Sequence, residues 1–166
     1  MSTARFDRWQ NTSGATVNTV VQVVSVYNQD RQSVYSQDLA AISGLSLSIT
    51  PKFSTSKILL LAMVNGSSTH VCSYGILRNG ATIAGPANTN VGGGSLLTVY
   101  DGQDTTDYMY GHYLQYLDTA GTTSAITYAC ACSASWGGTI RTAYINDRGS
   151  NDMRSASSLV AMEILQ

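Results

Sequence analysis

The stretch YLDTAGTTSAITYACAC, Tyr116 to Cys132, carries an aspartate, a run of hydroxyls and two cysteines one residue apart, and its reading decides the fold. If it is a site, the aspartate, tyrosine and thiols should converge. If it is a turn followed by a strand, alternate side chains should fall on opposite faces. The second reading fits: Tyr128, Cys130 and Cys132 share one parity, and Thr127, Ala129, Ala131 and Ser133 the other. Free cysteine packs as a small buried hydrophobe, so one face of this segment is core.

The same alternation extends outward in both directions. In LSLSITP, Leu45, Leu47 and Ile49 oppose Ser46, Ser48 and Thr50, and Pro51 closes the segment. Period-two patterning further predicts strands over Thr19 to Tyr27, Lys57 to Val64, Val71 to Arg78, Leu96 to Tyr100, Tyr108 to Leu117, Ala125 to Ser133, Thr139 to Asn146 and Ser158 to Leu165. Clusters of Gly, Ser, Asn and Asp separate them. Asn79-Gly80 has the chemistry of a two-residue type I′ hairpin, and Asn65-Gly66 is expected to turn the chain as well. No window shows a capped helical stripe. Eight to ten short strands imply an all-β sandwich, jelly roll or barrel. Lys57 to Val64 is apolar at both parities, which requires cover on both sides: one from the sandwich, the other from a second layer or a neighbouring subunit.

Composition narrows the function classes. The chain has 166 residues, the size of one domain, with residues 1–17 read as an N-terminal arm and 18–166 as a single β-sandwich. Charged residues are 11% of the chain against a usual level of about 25%, and formal net charge is -1. That balance argues against disorder and against a nucleic-acid footprint. Seven arginines against two lysines, a single glutamate (Glu163) and ten tyrosines match the composition of surface that meets another protein. Three cysteines leave an odd thiol, and the start MSTARFDRWQ has no apolar core segment, so no secreted disulfide scaffold or membrane insertion is expected. Synthesis in a cytoplasm is.

Several groups could carry chemistry, each with a plainer reading beside it. His70 and Cys72 with Cys130 and Cys132 would make a zinc set only through a particular strand register; they lack the Cys-x2-4-Cys turn spacing, and core packing is the reading taken for the thiols. Asp101, Asp104 and Asp107 offer oxygen ligands to a cation in a loop that lacks the EF-hand pattern; a solvated loop is the alternative. Tyr108, Tyr110 and His112 share one strand face, able to stack on a sugar or to pack in a core or subunit interface. VGGGS at Val91 to Ser95 lacks the Lys-Ser/Thr of a phosphate loop. The two histidines lie in no nucleophile motif, so no catalytic residue and no cofactor is expected. Arg5, Phe6, Arg8 and Trp9 lie close together in a segment without alternation. It is either a frayed terminus or a docking arm, Trp and Arg being common hot spots.

Four segments occur in a familiar order: SITPKFSTSKILLLAMVNG, ILRNGATI, YLDTAGTTSAITY and SSLVAMEIL. Together they make the chain, over about Thr19 to Leu165, resemble a family of phage virion structural domains common in cyanophage and other marine phages, often as C-terminal parts of tail-fibre-like polypeptides. The resemblance implies a trimeric β-sandwich of jelly-roll type displayed on a virion. Members usually have a proline in the turn after YLD; this chain has Thr119-Ala120-Gly121. Longer relatives carry a shaft, and the short chain favours a capsid decoration or cement protein contacting the major capsid protein through its arm. A fibre tip that binds host-surface glycan is the alternative.

Overall fold

The computed structural model describes residues 19–83, 85, 95–100, 108–149 and 153–165. The arm residues Arg5, Phe6, Arg8 and Trp9, and Asp101, Asp104 and Asp107, lie outside them. The strands are β1 (Thr19–Asn28), β2 (Gln32–Tyr35), β3 (Ala40–Ile49), β4 (Lys57–Ser68), β5 (Val71–Arg78), β6 (Ala81–Thr82), β7 (Leu97–Tyr100), β8 (Tyr110–Thr119), β9 (Ile126–Trp136), β10 (Thr139–Ile140), β11 (Thr142–Ile145) and β12 (Ser157–Leu165). All pairings are antiparallel, in two six-stranded sheets.

The topology follows from which strands find each other. β1 pairs with β12, β3 with β9, β4 with β8 and β5 with β7, a nested set in which early strands meet late ones. Lateral pairing of β12 with β4 and of β9 with β5 then rolls this long hairpin into two layers, β1-β12-β4-β8 and β3-β9-β5-β7. That is the jelly roll. The remaining short strands extend the ends: β2 and β11 lengthen the first layer, β6 and β10 the second.

The core is the inward parity of both layers. Ile58, Leu60, Ala62 and Val64 of β4, Leu114 of β8 and Leu159 and Ala161 of β12 face Leu45, Leu47 and Ile49 of β3, Tyr74 and Ile76 of β5, and Tyr128, Cys130 and Cys132 of β9. The parity read from ITYACAC is therefore the observed one. Each fully buried aliphatic side chain among them contributes about 1.5–3 kcal/mol.

Two turn expectations and one strand expectation have different outcomes. Asn79 and Gly80 have φ of 50° and 84°, and Arg78 pairs with Ala81, as a type I′ hairpin requires. Asn65-Gly66 does not turn: β4 runs on to Ser68, and Gly66 pairs with both Tyr110 and Ile145. Gly66 is there because a Cβ would collide with the Tyr144 backbone carbonyl. Asn65 stays in the strand because its carbonyl accepts from Asn146 N (2.8 Å) and its N–H donates to Ser157 Oγ (2.9 Å). Thr139 to Asn146 is not one strand either. Gly137 and Gly138, at φ 57° and 79°, turn β9 into β10, and after Arg141 the chain crosses to the other sheet as β11.

Candidate functional site

The aspartate and tyrosine of the opening stretch converge, but on a structural clamp that the two thiols do not join. Tyr128 Oη donates to Asp118 Oδ2 at 2.6 Å, and Arg78 Nη1 donates to the same oxygen at 2.8 Å. The Arg78 guanidinium also reaches the carbonyls of Thr119 (2.9 Å) and Ala120 (2.6 Å). One arginine thus gathers the turn after β8, whose Ala120 and Gly121 N–H groups donate to Ser56 and Ser54 carbonyls, both at 2.9 Å. Gly121, at φ 67°, supplies the left-handed residue. This set of bonds fixes the Thr119-Ala120-Gly121 turn without a proline. Burial, then the hydrogen bond to Asp118, raises the Tyr128 hydroxyl's pKa, so it stays a protonated donor.

Glu163 forms a second clamp. The carboxylate is fully buried and accepts from Lys52 N (2.8 Å), Phe53 N (3.2 Å) and Gln22 Nε2 (2.6 Å). Burial alone would raise its pKa. The Gln22 side chain, the Ser56 dipole and the two backbone donors outweigh burial and hold the pKa below the usual carboxylate range. The acid of MEIL therefore anchors the turn after Thr50-Pro51, which is why these distant segments belong together.

The thiols do not form a metal centre. Among the described residues no three His, Cys, Asp or Glu side chains are placed to hold an ion. Cys72, Cys130 and Cys132 are free and buried. Cys72 pairs across from Ala134, and Tyr74 from Cys132, so Cys72 and Cys132 are diagonal neighbours on one face. The Cys72 contact, then burial, raises the Cys132 thiol; burial pushes Cys130 up to about 12. His70 instead meets the Trp136 ring at 6.3 Å.

Tyr108, Tyr110 and His112 form a graded series. The Tyr108 and Tyr110 rings stack at 6.2 Å and are exposed, whereas His112 is buried and stacks on Tyr74 at 4.3 Å. Burial lowers the His112 pKa and keeps the ring neutral near pH 7. At the edge of the other sheet, Tyr100 and Trp136 make a second exposed pair at 5.2 Å, which the sequence reading did not single out.

The most extensive feature is the outward face of β1-β12-β4-β8. Its register sets four rows: Tyr27, Ser158, Met63 and Tyr113; Ser25, Val160, Leu61 and Gln115; Val23, Met162, Leu59 and Leu117; Val20, Ile164, Lys57 and Thr119. Lys57 is the one charge in the four rows, and its Nζ donates to Thr119 Oγ1 at 2.8 Å. Tyr113 is 76% exposed, and Val23 and Leu117 about half. A groove of about 510 Å³ lies beside Tyr113, lined by Leu61, Met63, Gln115, Ser158 and Val160 among others. The outward parity of the second sheet is different: Ser73, Ala131 and Ser133 are small and already buried. The apolar double parity of Lys57 to Val64 signalled this face. Tyr113, Gln115 and Leu117 were legible as the parity opposite to Tyr110 and His112.

No protein-family model matches the chain, and no curated protein does. Among solved structures, the chain is similar to the infectious bursal disease virus Gt strain (15% identity, TM-score 0.42, covering 99% of this chain and 44% of that one). It is also similar to a VP2 subviral particle of the same virus (16% identity, TM-score 0.40, 99% and 44%). The chain spans less than half the length of these neighbours, and at such TM-scores the likeness carries no weight for function.

Proposed function

We propose that the chain is a non-enzymatic virion structural protein, a homotrimeric decoration or cement protein on the outer surface of a phage head. The observation that carries this reading is the uncharged apolar face of β1-β12-β4-β8, which no other described element covers. Large apolar patches of this kind mark contact with other proteins. The ordered segments of the virion-domain resemblance support it, since Arg78, Asp118, Tyr128 and Glu163 within them serve as fold clamps. Asp118 and Tyr128 of the opening stretch are thereby engaged in holding the jelly roll.

In the proposed mechanism, apolar and tyrosine surface is buried between subunits, and the arm with Arg5, Phe6, Arg8 and Trp9 contacts the major capsid protein. Assembly binds only the native state and so stabilises it by mass action. The test is to mix the full chain, and a form lacking residues 1–17, with undecorated capsids and measure occupancy after sedimentation. The reading expects binding by the full chain and loss on truncation. Unchanged occupancy would sink the arm, and no binding by either form would sink the capsid role.

A second reading is a fibre or head-fibre tip that binds host-surface glycan. The exposed Tyr108–Tyr110 and Tyr100–Trp136 pairs favour it, because pyranose C–H faces stack on such rings. It expects the isolated protein to bind host cells or lipopolysaccharide, and Tyr110→Ala or Trp136→Ala to weaken that binding.

A further inference from the structure

The outward face of β1-β12-β4-β8 has a relief as well as a composition, and the relief limits what can sit on it. Tyr113 stands proud at one edge strand. Immediately beside it lies the groove lined by Leu61, Met63, Gln115, Ser158 and Val160, where the small serine at position 158 stands between Tyr27 and Met63 in the row that ends at Tyr113. A projecting aromatic ring and a depression able to receive one thus lie on the same face of the same chain.

We infer that this face docks a second copy of the chain, with Tyr113 of each copy seated in the groove of another. Charge points the same way. With Lys57 as its one cation, tied to Thr119, the face has nothing with which to recruit an acidic or basic partner, and nothing to repel its own copy. Size fits too. Four strands about 4.8 Å apart, each contributing about seven residues of ~3.3 Å, give a footprint of roughly 450 Å². A stable protein–protein contact uses roughly 800 Å² per partner, so the face accounts for about half of one interface. Stacking one pleated face on another is also how the fold buries its own interior, with sheets about 10 Å apart.

This inference rests on the structural reading above for the presence of like copies and deepens it by naming where they meet. The test is sedimentation equilibrium of the full chain at micromolar concentration. It compares wild type, Tyr113→Ser, Leu117→Asp and, as a control on the other sheet, the exposed Thr82→Glu. Tyr113 and Leu117 are exposed in the single chain, so both variants should keep the wild-type circular dichroism. The expected result is a wild-type mass that is a multiple of 17.6 kDa. The control should match it, and the two face variants should weaken association by about 30-fold or more, the effect of removing a hot-spot side chain. A monomeric wild type overturns the inference, as do face variants that associate as tightly as the control. If wild type is monomeric and the form lacking residues 1–17 associates, the N-terminal segment is the occupant and the inference is overturned. A two-chain mass abolished by the face variants supports the face and refutes the trimer. Loss of capsid binding with intact self-association refutes the capsid role alone.

Discussion

The phenol of Tyr128 and the carboxylate of Asp118, 2.6 Å apart, join β9 to the end of β8, and Arg78 of β5 closes the triangle on the same oxygen. Three segments that look unrelated in the chain thereby meet in one interaction.

Tyr128→Phe keeps the ring in the core and removes one donor to a charged acceptor. It should cost about 1–2 kcal/mol in urea unfolding. Asp118→Ala leaves the largely buried Arg78 without its counter-charge and should cost more, about 2–4 kcal/mol. The double variant should fall short of the sum by at least about 0.5 kcal/mol, since the two share one network. Full additivity would show that the triangle is not a unit.

Glu163 makes stability depend on pH in a defined direction. Its pKa in the folded chain is lowered, so the carboxylate's contribution is fully present above the unfolded value of about 4.3 and fades as pH falls through the folded value. Glu163→Gln sets an amide against the Gln22 donor and should cost about 2 kcal/mol near neutrality. The gap to wild type should narrow in acid. Thermal melts of both proteins from pH 7 down to pH 2 read this, and a gap constant across that range would contradict it.

The three thiols should be silent in the native protein. Cys130 and Cys132 are buried and held protonated, and thiolate is the reactive form. Ellman's reagent at pH 8 should label them at the rate of unfolding, with full reaction only in denaturant. Fast labelling of the folded chain would show that the second sheet opens.

Gly66→Ala should be among the most damaging single-methyl additions in the chain, because the new Cβ meets the backbone carbonyl of Tyr144 and only a shift of β11 relieves it. The expected loss is about 2–4 kcal/mol, beyond ordinary overpacking in a core. Gly80→Ala, whose Cβ would meet open space, should cost about 1 kcal/mol through its positive φ alone. Equal losses at the two sites would mean that β11 yields easily.

Much of this fold was legible because parity is a local property. Tyr128, Cys130 and Cys132 alternate with Ala129 and Ala131 whatever they pack against, and Asn79-Gly80 carries its turn in two residues. The misreadings arose where a distant strand decides. Asn65-Gly66 has hairpin chemistry, yet β11 and Asn146 hold it extended; Thr139 to Asn146 reads as one strand, yet its apolar parity switches between Ile140 and Ala143, and Arg141 is where it changes sheets. The two clamps were invisible for the same reason: Glu163 and Lys52 are far apart in the chain, and no spacing rule joins them. Of the candidate surface, the double apolar parity of β4 could be read directly. The hollow at Ser158 and the projection of Tyr113 needed the register.

The central claim, that this jelly roll works as a stoichiometric part of a virus particle, is tested most directly by quantitative mass spectrometry of purified particles. Intact virions should contain this chain at a fixed ratio to the major shell protein, retained through density-gradient purification. Its absence from gradient-pure particles, with the chain abundant in the infected-cell lysate, would contradict the account.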